Sequence, residues 1–303
     1  MWTLDEIEDL SSKVAVVTGG NSGLGFKVVS ELAKNNAKVI LCSRSIEKGE
    51  KARSEILAEI GDKDIVVEQL DLSDFQSISD FAHRFNQSYD RLDILVNNAG
   101  IMASPFVWTK DHLEQQIGVN HFGHFALTAR LFRIIRNTSQ ARIVNVSSLA
   151  HKNGTIDFRD LFFEKRKYQA WKAYSQSKLA NLLFTYELQN KCDKYQIDIK
   201  VIAAHPGVSQ TNLGRYIEKN KIAKVGYKAL TQPASMGALP IIYAACAKDV
   251  VKGGYYGPDG LFEMKGQPTL VSSSKKSHDK VSMKRLFDLS ENICNVKFDF
   301  SQD

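Results

Sequence analysis

The chain has 303 residues, 43% of them hydrophobic and 24% charged, with 40 Lys and Arg against 34 Asp and Glu for a formal net charge of +6. That composition supplies a sizeable core and excludes a disordered chain, a collagen or a small disulfide scaffold. The positive excess is scattered through mixed-sign stretches such as Glu47 to Arg53, so it argues against nucleic acid and asks for no more than an acidic ligand.

The first residues carry Asp5, Glu6, Glu8 and Asp9, the reverse of a signal peptide's basic start, and no apolar stretch reaches the roughly 18 residues that span a bilayer. A soluble, cytoplasmic protein is expected. From Lys13 onward, short apolar runs rich in β-branched residues alternate with helical patterns. The runs are Val14 to Val17, Lys38 to Cys42, Ile65 to Leu70, Leu92 to Val96, Arg142 to Val146 and Ile197 to Ala203, with a weaker one at Leu261 to Met264. Each is continuously apolar, as strands covered on both faces are, which predicts an α/β fold with a doubly wound parallel sheet of Rossmann type in a single domain. Helices are expected over Leu24 to Asn35, Phe125 to Arg136 and Ala173 to Asn190. Gly207 to Gln232 mixes Tyr216, Ile217, Ile222, Val225 and Tyr227 with four lysines after a Pro-Gly break, and reads as an amphipathic lid. Cys42, Cys192, Cys246 and Cys294 are far apart and read as reduced, packed thiols.

The first run ends in Thr18-Gly19-Gly20-Asn21-Ser22-Gly23-Leu24-Gly25 and passes straight into a helix. Glycines here let the backbone approach a pyrophosphate, and the helix N-terminus offers unpaired N–H groups and a favourable dipole. The second run ends in Ser43-Arg44, where sites that prefer NAD present a carboxylate to the ribose 2′-hydroxyl. A neutral serine and a guanidinium suit a 2′-phosphate instead, so the expected cofactor is NADP(H). Tyr174 and Lys178, four apart, share one face of their helix. A nearby ammonium and an oxidised nicotinamide would both favour the phenolate, making Tyr174 a usable proton donor or acceptor. Ser148 lies at the C-terminal end of a strand, where such sheets bind ligands, and would hold a substrate oxygen against Tyr174.

Asn97-Asn98-Ala99-Gly100, Ser147-Ser148, Tyr174-Ser175-Gln176-Ser177-Lys178, Pro206-Gly207 and Thr211 together resemble the short-chain dehydrogenase/reductase family over Lys13 to about Gly266. Arg142-Ile-Val-Asn-Val-Ser-Ser-Leu-Ala-His151 and Ala173 to Asn181 look most like its retinol dehydrogenase-like and protochlorophyllide reductase-like group, as does the insertion of Gly154 to Trp171 between Ser148 and Tyr174. The resemblance implies Ser148 as the catalytic serine with Ser147 in support, Lys178 on the nicotinamide ribose, and Asn120 as the residue whose backbone holds a relay water. It further implies Asp71 and Leu72 at the adenine, Asn98, Ala99 and Gly100 along its ribose, Pro206 and Gly207 beyond the sixth strand, and Thr211 on the carboxamide. His121 and His124 read as packing and capping residues rather than metal ligands. The expected function is hydride transfer between NADP(H) and a small apolar carbonyl or alcohol, with a homodimer left open. The alternatives are a catalytically silent nucleotide-binding scaffold and a peripheral membrane protein whose basic lid docks on lipid.

Overall fold

The computed structural model describes residues 2–209 and 231–301. Thr211 and most of the expected lid, together with its apolar positions, lie outside the described residues. The strands are β1 (Val14–Thr18), β2 (Lys38–Ser43), β3 (Ile65–Gln69), β4 (Ile94–Asn97), β5 (Arg142–Val146), β6 (Lys200–Ala204), β7 (Tyr255–Pro258) and β8 (Pro268–Leu270). They form one eight-stranded sheet in the order β3-β2-β1-β4-β5-β6-β7-β8. Strand order reverses between β1 and β4, the point in doubly wound sheets where a ligand crevice opens at the carboxyl ends. The helices are α1 (Gly23–Lys34), α2 (Ile46–Ile60), α3 (Phe75–Ser88), α4 (Gln115–Ile117), α5 (His124–Arg136), α6 (Ala170–Lys194), α7 (Ala234–Cys246) and α8 (Lys280–Ile293).

Alternation along the strands divides the core into two layers. Val14 and Val16 of β1 and Ile40 and Cys42 of β2 face a layer built from Phe81 of α3, Phe125 of α5, Phe184 of α6 and Phe287 of α8. Ala15, Val17, Val39 and Leu41 face the other, with Val28 and Leu32 of α1, Ile56 of α2 and Ile241 of α7. Cys42, Cys192 and Cys294 are buried and all four cysteines are free thiols.

Two expectations are corrected. Leu261 to Met264 is not a strand, since Leu261–Glu263 is a 3-10 turn whose Phe262 and Glu263 have φ of 53° and 57° and whose Leu261 and Phe262 are exposed. The seventh strand lies earlier, at the two tyrosines of β7, paired in parallel with β6 through Ala203–Tyr255 and Ala204–Tyr256. The sheet is also not wholly parallel, because the 3-10 turn brings β8 back antiparallel to β7. A connection this short cannot make a parallel crossover.

Candidate active site

A cavity of about 870 Å³ opens at the carboxyl ends of the strands. Gly19, Asn21, Ser22, Gly23 and Leu24 line it where β1 turns into α1. Gly19 has φ +64°, a conformation costly for residues with a Cβ. A Cβ at Gly25, which packs behind this wall, would strike the Gly19 carbonyl and Asn98 Nδ2. Ser22 at the N-cap makes no side-chain cap, so the first-turn amides of α1 keep their donors at the end where the dipole favours anions. The next wall is stitched to β1, since Thr18 Oγ1 accepts from the amides of Asn98 and Ala99, both at 2.9 Å, and Asn98 Nδ2 donates to the Thr18 carbonyl at 2.8 Å. Asn98, Ala99 and Gly100 thereby line the cavity, as do Asp71, whose carboxylate accepts from Ser73, and Leu72.

At the rim Ser43, Arg44, Ser45 and Lys48 come together. Ser45 caps α2 by accepting from the Lys48 amide, so Lys48 rises one turn from Arg44. Neighbouring cations are paired, Lys51 with Glu55, Arg53 with Glu50 and Arg84 with Glu68, whereas Arg44 and Lys48 have no carboxylate partner among the described residues. Sequence reasoning read Lys48 as part of a solvated charge run. The serine N-cap three residues before it was the available signal.

At the inner end Tyr174, Lys178, Ser147 and Pro206 line the cavity. Tyr174 is 5% exposed, with the Ser148 hydroxyl beside its phenol. The spacing placed Tyr174 and Lys178 on one face, and the structure holds Lys178 Nζ 5.8 Å from the Tyr174 ring centroid, donating to the Val146 carbonyl at 3.0 Å. Ser147 Oγ supports the pair from behind by donating to the Lys178 carbonyl at 2.9 Å. Burial pushes the Tyr174 phenol up to about 12, with only the Ser148 hydroxyl pulling it down, and burial lowers Lys178 to about 8. Desolvation outweighs the pull of the Ser148 hydroxyl, so the phenol holds its proton at neutral pH.

Asn120 sits behind Lys178 in a π-helical turn, Gly118–Gly123. Its side chain accepts from the Ile101 amide and donates to the Ile101 carbonyl and to Ser177 Oγ, each at 2.9 Å. The wider turn turns its carbonyl to the His124 side chain, whose Nδ1 donates to it at 3.0 Å. His124 Nε2 accepts from Thr18 Oγ1 at 2.9 Å and His121 Nε2 bonds Ser290 at 2.9 Å, so both histidines pack and cap, as expected. Gly207, φ +62°, follows the cavity-lining Pro206 and packs against the Met264 carbonyl.

The family model described as short chain dehydrogenase matches residues 13–222. Retinol dehydrogenase 13 of Mus musculus is 39% identical over 267 residues, 86% of this chain and 79% of that relative. The chain belongs to the short-chain dehydrogenase/reductase family. Within it, the similarity lies with the retinol dehydrogenase-like group. The crystal structure of an uncharacterized protein from Mycobacterium paratuberculosis shares 38% identity, covers 98% of this chain and 99% of its own, and superposes with a TM-score of 0.82. Pseudomonas aeruginosa RhlG in its NADP active-site complex shares 25% identity over 84% of this chain and 98% of its own, with a TM-score of 0.67. This short-chain dehydrogenase/reductase is accordingly an oxidoreductase with a Rossmann-type sheet. No helix among its described residues is long and apolar enough to cross a membrane.

Proposed function

We propose that this enzyme transfers a hydride between NADP(H) and an apolar aldehyde, ketone or alcohol, with Tyr174 as proton donor and acceptor. The fit of the cofactor rests on the cradle that a Cβ at Gly25 would disrupt, on the N-terminus of α1 without a side-chain cap, and on the two rim cations that have no carboxylate partner among the described residues. Gly19 to Leu24 would hold the pyrophosphate, Ser43, Arg44 and Lys48 the 2′-phosphate, Asp71 and Leu72 the adenine, and Asn98 to Gly100 its ribose. Pro206, Gly207 and Thr211 would meet the nicotinamide end. When bound, the cofactor supplies or accepts the hydride.

Tyr174 Oη gives its proton to the carbonyl oxygen in the reducing direction, while the Ser148 hydroxyl holds that oxygen in place. Lys178 stabilises the phenolate left behind and reaches the nicotinamide ribose, and Asn120 fixes the chain beside it. Ile101, Met102, Val119 and Val146 in the cavity wall favour an apolar substrate. We read residues 1–303 as one such domain, cytoplasmic, with the lid at about 207–232. Cell fractionation and sedimentation velocity test the location and the homodimer.

The observation that carries this reading is the buried Tyr174 beside Ser148 with buried Lys178 one turn on, Tyr174 and Lys178 together lining the inner end of one cavity. Hydrophobic aldehydes, ketones and retinal are to be assayed with NADPH and NADH by nicotinamide absorbance. Tyr174→Phe is expected to lose turnover by about 10²- to 10⁴-fold while keeping NADPH affinity. Full activity in that variant overturns the assignment of Tyr174, and absence of turnover across the panel favours the silent scaffold.

A further inference from the structure

Ser148 heads a 3-10 turn, Leu149–Asn153, that carries His151. His151 is fully buried, with its ring edge-on to Tyr255 at 5.5 Å between centroids. Its Nδ1 lies 2.7 Å from the Ser148 carbonyl and its Nε2 3.1 Å from the Ser274 amide. A carbonyl can only accept and an amide can only donate, so Nδ1 carries the proton and Nε2 is bare. Only the neutral ring meets both partners, since an imidazolium would set N–H against N–H. Burial agrees, holding the ring's pKa down to about 4.

Ser274 lies far along the chain, beyond β8, in a C-terminal strap that precedes the 3-10 turn Lys275–His278. The same strap grips this region twice more. Lys276 Nζ donates to the Gly154 carbonyl at 3.0 Å and to Thr155 Oγ1 at 2.9 Å. Ser273 Oγ bonds Tyr186 Oη at 2.8 Å, and Tyr186 stands on α6, the helix that carries Tyr174 and Lys178. The turn headed by Ser148 and the helix that carries Tyr174 are therefore tied to one segment.

We propose that His151 is a positioning residue that clamps the Ser148 backbone to the Ser274 amide, so that the C-terminal strap sets where the Ser148 hydroxyl meets Tyr174 and the substrate oxygen. This rests on the catalytic reading of Ser148 and Tyr174 above. His151 does not line the cavity and acts only through Ser148. Small misplacements of a group that holds the reacting oxygen have large effects on rate.

Two variants address the clamp from its two sides. His151→Phe keeps a ring against Tyr255 and removes the hydrogen bonds to the Ser148 carbonyl and the Ser274 amide, along with the 3.4 Å contact to Tyr255 Oη. Ser274→Pro deletes the amide at a residue whose φ of −66° already suits proline. Each is expected to lower kcat at least about tenfold with NADPH affinity, read by its fluorescence, within about twofold of wild type. His151→Gln, which can donate and accept, is expected to recover part of the loss. Because the effect passes through Ser148, His151→Phe in a Ser148→Ala background is expected to change kcat by less than about twofold. Undiminished kcat in both His151→Phe and Ser274→Pro, or a full further loss in the Ser148→Ala background, overturns the proposal. Hydrogen exchange across residues 147–153, measured without substrate, separates the clamp from the reaction. Faster exchange there in Ser274→Pro supports the clamp even if Ser148→Ala leaves turnover intact, and unchanged exchange overturns it.

Discussion

Replacing Lys178 with methionine is expected to stabilise the fold while abolishing turnover. Lys178 is 4% exposed, and burial holds its pKa at about 8 against an ordinary 10.5. The difference, 10.5 − 8 = 2.5, corresponds to about 3 kcal/mol against keeping the ammonium charged in the fold at neutral pH. The variant loses the bond from Nζ to the Val146 carbonyl, a net contribution of ~1 kcal/mol. That carbonyl still accepts from Asn181 Nδ2 at 3.0 Å, so no buried acceptor is orphaned. Lys178→Met should then exceed wild type by about 2 kcal/mol at pH 7. The sign of the pH dependence follows from the lowered value. Between about 8 and 10.5 the unfolded chain holds a proton that folded Lys178 has released, so wild type gains stability as pH rises and the variant cannot. Urea unfolding of both proteins across pH 7 to 10 reads the difference, in which the shared tyrosines and cysteines cancel. A variant no more stable than wild type at pH 7, or a difference that stays flat with pH, refutes the reasoning.

Arg44→Ala combined with Lys48→Ala is expected to weaken NADPH by about tenfold to a hundredfold with NADH little changed, since charge-assisted contacts to one phosphate are lost. Fluorescence titration at two salt concentrations checks this, and equal loss for both cofactors assigns the pair to the fold alone. Asp93 accepts from Arg91 Nε at 2.8 Å, Arg91 Nη2 at 2.7 Å, the Val14 amide at 3.0 Å and Lys13 Nζ at 3.1 Å. Burial works against its charge, but the Arg91 bonds and the other donors prevail and hold its carboxyl below 3.8. Its contribution is present above that value and lost as pH falls through the lower folded one, so Asp93→Asn should cost about 1.5–3 kcal/mol at pH 7 and converge with wild type in acid, as urea unfolding would show.

The glycine turn, the Tyr174–Lys178 spacing and six of the strands were legible because each is a local rule. A tight turn needs glycine where φ is positive, a helix sets residues four apart on one face, and a strand buried on both sides must be continuously apolar. The retinol dehydrogenase-like group was legible for the same reason, since its motifs are short and contiguous. The edge of the sheet was not, because Tyr255–Pro258 pairs with β6 through only two residue pairs, too few to impress a pattern on the sequence. Lys48 looked like one charge among many, and only the cavity rim, where β2 turns into α2, sets it beside Arg44 with no carboxylate partner for either among the described residues. The protonation states of Tyr174 and Lys178 were decided by burial, a property of everything packed around them and not of their spacing. The Ser148–His151–Ser274 contact joins residues 123 positions apart, and only the folding of the C-terminal strap onto α6 brings that amide to the buried imidazole.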